Sequence, residues 1–250
     1  MFALFHTILY LPIFNLFVWL YNVIPGHDVG LVILAITILV RLILYPLTSA
    51  SIKSQRALQD LQPKMAAIKL QYADDKQKQT QAIMEMYKNN KVNPMASCLP
   101  MLIQLPILIA LYQVLQDGLH SKNLVDSLYS FISNPGTINQ ISLGFLNMAA
   151  PNTVLAILAG AAQFFQAKTM MRKSPPTQAG EGAKDEAMMA MMNKQMLYLM
   201  PVMTVIIGFK LPGGLTLYWF FGTLLMVLQQ MLLTKKNTPK DGVIEGELVK

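Results

Sequence analysis

Apolar runs of membrane length, separated by polar stretches of very unequal charge, organise this chain. The runs are Val29 to Leu47, broken only by Arg41; Val92 to Gln116; Pro151 to Gln166, the core of an uncharged stretch that begins upstream; a short one, Gln195 to Phe209; and Leu211 to Thr234. Roughly 20 mostly apolar residues cross about 30 Å of hydrocarbon. The pattern therefore predicts an all-α membrane protein with five transmembrane helices after an N-terminal segment. Residues 1–28 read as a helix on the outer surface, 29–47 as the first span, 48–93 as a cytoplasmic helical hairpin and 94–116 as the second span. An extracytoplasmic segment takes 117–150, the third span 151–167, a cytoplasmic loop 168–194, the fourth span 195–210, the fifth 211–234, and a cytoplasmic tail 235–250.

Within the hairpin, apolar residues recur at Leu58, Leu61, Met65, Ile68 and Tyr72, then at Ile83, Met86 and Tyr87. That three-and-four spacing predicts two helices with one apolar stripe each. The "YADD" stretch at 72–75 ends one and caps the next. One reading is a solvated pair that ties two spans together; the other is a mobile arm that meets a polypeptide, a partner or acidic headgroups.

Charge orients the bundle. Residues 48–93 carry eight Lys and Arg, 167–194 carry five and the tail after Thr234 carries four, whereas the alternate connections carry only Lys122 and Lys210. Basic loops stay cytoplasmic, which predicts N-terminus out and C-terminus in. Residues 3–24 are long enough to span on their own. Pro12, Asn15, Tyr10, Trp19 and Tyr21 favour an interfacial helix there. The N-terminus has no basic start and no small-residue cleavage site, so it does not read as a secretory signal. "MASC" at 95–98 is discounted as a lipoprotein box because it lies mid-chain.

Composition agrees: 54% of the 250 residues are hydrophobic and 13% charged, against about 25% charged in soluble domains. The net charge of +7 is scattered between apolar runs, unlike the basic face of a nucleic-acid-binding domain. One cysteine, Cys98, and three dispersed histidines leave little for metal chemistry, and no cofactor is expected. No GxxxxGK[ST] motif and no spacing suggestive of a catalytic triad occurs, so the chain is expected not to be an enzyme.

Arg41 is the sharpest feature. It lies about 9 Å along a helix from Leu47, within reach of the inner headgroups by snorkelling. Otherwise an arginine near a helix centre costs about 2.5 to 3.5 kcal/mol and faces a water-filled hollow or a partner. No acidic residue lies inside any predicted span. Thr37, Gln104, Gln163 and Gln166 are candidates to line the same hollow, with Gln163 and Gln166 three apart on one helix face. Each alone is an ordinary interhelical hydrogen-bonding residue. Pro94, Pro100, Pro106 and Pro201 interrupt the helices and free carbonyls. The fourth span, roughly 22 Å long, favours local thinning of the bilayer. Of 18 methionines, many crowd the stretch from Met188 to Met203. They read as flexible filler or as an adaptable surface for apolar segments; soft thioether binding of Cu(I) is a third reading that the lack of a nearby His or Cys disfavours.

The stretches "ILVRLILYPLT", "SQRALQDLQPKMAAIKLQY", "YKNNKVNPMASCLPMLIQLPILIALYQVL" and "LPGGLTLYWF" resemble the YidC family of membrane-protein insertases, bacterial relatives of the mitochondrial and chloroplast insertases. The resemblance runs in order from about Leu9 to Leu233. It implies five core spans around a hydrophilic groove open to the cytoplasm and to lipid, an interfacial helix before them and a cytoplasmic hairpin after the first. It matches Arg41 to the family's groove arginine and Trp219 to a groove-lining aromatic, and both Gln163 and Gln166 fit the place of a groove glutamine. The family's large periplasmic domain and extra N-terminal span are not expected here, and the tail after Leu233 is short for a strong ribosome contact.

The implied function is insertion and folding of integral membrane proteins in the bacterial plasma membrane. Arg41 would draw a substrate's polar extracellular tail into the groove, and the apolar segment would leave sideways into lipid. Expected partners are nascent membrane proteins and membrane lipids, with the Sec translocon and ribosome as further candidates and no direct nucleic-acid contact. The rivals are a small-solute or ion transporter and a non-catalytic membrane-complex assembly factor. Against the transporter stand the missing membrane carboxylate and the lack of a convincing inverted repeat.

Overall fold

A computed structural model describes residues 2–97, 99–120, 127–170 and 183–236. Cys98, Lys122, the centre of the loop at 171–182, the tail from 237 and the side chains of the methionine-rich 183–194 fall outside what is described. The described chain is almost wholly helical. Helix α1 (Phe2–Phe5) runs through a π turn (His6–Tyr10) into α2 (Leu11–Val23). There follow α3 (Val29–Ile43), α4 (Tyr45–Asp60), α5 (Gln62–Gln71), α6 (Lys76–Asn89), a 3₁₀ turn (Pro94–Ser97) and α7 (Leu99–His120). A two-stranded hairpin, β1 (Ile141–Ser142) and β2 (Leu146–Asn147), precedes α8 (Thr153–Met170), α9 (Ala183–Gly208) and α10 (Gly213–Lys236).

Among the described residues, three helices are long and apolar enough to cross a membrane: Ala3–Val23, Leu102–His120 and Gly213–Leu233. The pair α3 and α4, bent by 64°, makes a fourth if taken as one span. The bend has a chemical cause. Pro46 lacks the N–H that would bond to the Leu42 carbonyl, and its ring crowds that turn. A second break falls at Leu61, just before Pro63 in the first turn of α5.

The bundle has two unlike ends. Gly214 lies against Ile33 and Leu115, and Gly222 lies against Arg41, so α3 and α10 run parallel with α7 antiparallel to both. Helices α8 and α9 run antiparallel, Gly160 meeting Pro201 and Val205 and Gly208 meeting Ala156. The apolar core gathers Phe14, Phe17, Val29, Ile33, Leu111, Leu115, Leu215 and Tyr218. It therefore sits towards the end where α3 and α10 begin, called here the cap end.

Polar contacts fasten the cap. Asn15, 2% exposed on α2, donates to the Leu11 and Ser127 carbonyls and accepts from the Tyr129 amide. Asn22 donates to the Ser133 carbonyl, and the Asn139 amide donates to the Tyr21 hydroxyl. Asp28, N-cap of α3, accepts from the Leu31 amide, the Ser142 hydroxyl and, at 2.6 Å, the Leu143 amide. Burial pushes the Asp28 carboxyl up, but these donors outweigh it and hold it below the usual carboxylate value. Leu143, at φ +51°, takes a left-handed turn costing about 1–2 kcal/mol for a non-glycine residue. The charge-assisted bond to Asp28 offsets that strain.

At the opposite, arm end, α5 and α6 fold back on each other. Gln79 donates to the Lys69 carbonyl and the Tyr87 hydroxyl meets Met65 Sδ at 3.4 Å. Asp75 caps α6 through the Gln77 and Lys78 amides.

Candidate functional site

Arg41 projects from the last turn of α3 towards α10, and the sequence of α10 explains how it fits. Gly214, Tyr218, Gly222 and Met226 recur every four residues and so form one stripe on the helix. A β-carbon on Gly222 would lie 3.0 Å from Arg41 Nη2. Glycine there lets the guanidinium approach the α10 backbone without being displaced. Small residues at such positions are what helix packing within membranes uses.

The guanidinium is poorly partnered. Nη1 contacts Met226 Sδ at 3.7 Å, its one hydrogen bond among the described residues, and Nε is buried with none. A thioether is a weak acceptor. Arg41 pairs with no carboxylate among the described residues, so its charge is not neutralised within the bundle.

Gln104 is brought to the same place from α7. Its amide donates to the Tyr218 hydroxyl at 2.8 Å, and Tyr218, 2% exposed, lies one turn before Gly222 on the stripe that receives Arg41. Thr37 also faces this seam but is fully buried, its hydroxyl donating to the Ile33 carbonyl. Gln163 and Gln166 are partly exposed on α8, and neither side chain hydrogen-bonds to another described residue. Trp219 is partly exposed and neighbours Tyr218, and its carbonyl accepts from Thr223. Arg41, Gln104 and the α10 stripe thus form one cluster; for Gln163, Gln166 and Trp219 no bond to that cluster is present.

Sequence reasoning missed Tyr218, Gly222 and Met226 and a polar seam nearer the arm end. There Gln229 Nε2 donates to the Tyr45 carbonyl, to Thr48 Oγ1 at 2.9 Å and to Ser49 Oγ at 2.8 Å, while Thr48 donates back to Gln229 Oε1. Thr169 Oγ1 donates to Gln230 Oε1 and Arg56 to the Gln230 carbonyl. The four-residue spacing on α10 was a readable signal; the partners of Gln229, about 180 residues away, were not.

A separate cavity of about 400 Å³ lies at the cap end, between Gly118–His120 and Thr137–Ile141, away from Arg41. Among the described residues no cluster of His, Cys, Asp or Glu has the makings of a metal site.

Comparison with known proteins places the chain in a family. The model of the family described as "60Kd inner membrane protein" matches residues 19–240. A protein named "Membrane protein insertase YidC" from Fusobacterium nucleatum subsp. nucleatum is 37% identical over 83% of this chain and 87% of its own length. Its namesake from Oceanobacillus iheyensis is 33% identical over 89% of this chain and 82% of its own length. The one from Aeromonas salmonicida is 33% identical over 89% of this chain, which spans only 36% of that longer relative. The crystal structure titled "Active YidC insertase crystal structure with the first transmembrane domain resolved" superposes with a TM-score of 0.59 at 25% identity, covering 94% of this chain and 47% of that one.

Proposed function

The chain belongs to the YidC family of membrane protein insertases, and from that premise we propose that it catalyses the insertion of integral membrane proteins into the bacterial plasma membrane without enzymatic chemistry. The observation that carries the mechanism is Arg41: a cation inside an apolar bundle, held by a glycine notch and a thioether, with Nε unsatisfied. Leaving such a group unpaired is costly. A site built that way gains most when an anionic or polar group arrives.

The arm end is the cytoplasmic one in this reading, supported by the eight Lys and Arg of residues 48–93. The tightly packed core and the Asn15 and Asp28 networks then close the outer side, and the groove opens inward. The extracellular tail of a nascent membrane protein enters from the cytoplasm. Arg41, with Gln104 as hydrogen-bonding wall, attracts its acidic or polar residues across a medium of low dielectric. The apolar segment then slides into lipid, driven by hydrophobic transfer. By the family resemblance Trp219 is a groove-lining aromatic, and Gln163 and Gln166 both fit the place of a groove glutamine. The short apolar Leu197–Gly208 stretch of α9 suits a thinned bilayer beside it.

The N-terminal helix lies on the outer surface in this reading, although its length permits a span. Between Tyr10 and Asn22 it advances about 18 Å, yet its side-chain hydrogen-bond partners on other elements all come from one end of the bundle. They are Asp117, Ser127, Tyr129, Ser133 and Asn139. A helix crossing the bilayer would instead track α7 from end to end. Contacts with the Sec translocon or the ribosome would fall at the arm end.

The test is insertion of a single-span reporter with a short acidic extracellular tail into liposomes holding the purified protein, read by protease protection. Wild type and Arg41→Lys insert the reporter and Arg41→Ala does not. Equal insertion by all three would refute the docking role of the charge.

A further inference from the structure

The cap end presents a surface that suits lipid and not water. Residues 127–152 contain no Asp, Glu, Lys or Arg. A soluble loop of that length would carry about six. Yet Phe131 is 79% exposed, Phe145 76% and Leu143 65%. Phe131 and Phe145 are the two most exposed large apolar side chains described, and all three stand on segments that hydrogen bonds hold in place.

Those segments are fixed beside an equally apolar face. The stretch from 127 to 133 runs along α2, held through Asn15 and Asn22. The β-hairpin carrying Leu143 and Phe145 is held to the start of α3 through Asp28. The uncovered face of the N-terminal helix shows Ile8, Trp19 and Val23, again with no Asp, Glu, Lys or Arg among residues 2–26.

We propose that the outer segment 127–147 is a membrane-inserting collar, with Phe131, Leu143 and Phe145 lodged among the headgroups and upper acyl chains of the outer leaflet beside the N-terminal helix. Phe and Leu on an interfacial face bury about 5–10 Å into the boundary of headgroups and acyl chains. Burying each phenyl there removes apolar area worth about 25 cal/mol per Å² from water. With no charge to attract anionic headgroups, the collar takes neutral lipid as readily as acidic lipid. It seats the closed outer wall of the bundle low in the leaflet, so that a segment leaving the groove meets lipid already displaced. The inference rests on the cap end being the outer one.

Spin labels decide it in the full chain. The single cysteine is first removed as Cys98→Ser, and nitroxides are attached at Phe131→Cys, Phe145→Cys and, as an exposed polar control on the same segment, Thr137→Cys. In liposomes, labels at 131 and 145 should relax several-fold more with oxygen than with aqueous nickel chelate, and the label at 137 the reverse. Nickel access at 131 and 145 equal to that at 137 would overturn the collar, and so would exclusion of both agents, which would mean that protein covers the surface. The orientation is checked separately. A membrane-impermeant maleimide added to intact spheroplasts should label Thr137→Cys; labelling only after lysis would refute the topology, independently of the depth result.

Discussion

Replacing Gly222 separates the position of the Arg41 charge from its presence. In Gly222→Ala the new β-carbon would lie 3.0 Å from Nη2, 3.5 Å from Nε and 3.7 Å from Cζ. The guanidinium must retreat by a few tenths of an ångström, and its arm is flexible enough to do so. Two unit charges about 4 Å apart at an effective dielectric of about 20 interact by about 4 kcal/mol. A retreat of about 0.4 Å weakens that by roughly a tenth, or about 0.4 kcal/mol, a twofold loss of rate. Valine adds γ-carbons where the guanidinium now sits, so Arg41 must leave the notch, and the loss grows to tenfold or more. Helix propensity runs the other way, because alanine gains about 1 kcal/mol over glycine and valine gains somewhat less. The expected outcome is a graded fall in insertion of the acidic-tailed reporter, with thermal stability in detergent unchanged or raised, and no effect on a reporter whose tail has no acidic residues. Wild-type rates in both variants, or losses that follow a fall in stability, would refute the notch.

Other outcomes follow from the two ends of the bundle. Asp28→Ala removes acceptors for the Leu31, Ser142 and Leu143 donors and should lower stability by about 1–3 kcal/mol, read as a lower melting temperature and faster amide exchange at Leu143. Because the folded Asp28 value lies below its ordinary one, its contribution is present above about pH 4 and is lost as pH falls through the lower folded value; in the Ala variant that acid-side slope should be reduced. Gln229→Leu removes the donor to the buried Ser49 hydroxyl, whereas Thr48 keeps its bonds to the Leu44 and Tyr45 carbonyls, and should cost about 1–3 kcal/mol, with proteolysis at the α3–α4 junction accelerating first.

Much of this was legible because it is local. The apolar runs, the caps at Asp75 and the odd cation at 41 are each visible within a few residues. What was not legible is tertiary. Five spans were predicted, whereas helix length and composition among the described residues give three, or four with the bent pair. Pro46 divides the first run, Gln163, Gln166 and Lys168 lower the apolarity of the 18-residue α8, and the apolar stretch of α9 is only Leu197–Gly208. Arg41 announced that something must face it, but Met226 is 185 positions away and nothing local marks that pairing. Gln104 met its partner, Tyr218, through the same long-range closure. A polar residue in an apolar run says that a partner exists and leaves its identity to the fold.

The two breaks differ in what holds them. Between Leu44 and Leu61, α4 is tied to α10, Thr48 and Ser49 to Gln229 and Arg56 to the Gln230 carbonyl. Past Leu61, α5 and α6 are bonded to each other. The tied α4, about 24 Å long, thus insulates the charge from the arm: a swing of the hairpin about Leu61 leaves Arg41 in register with Gly222.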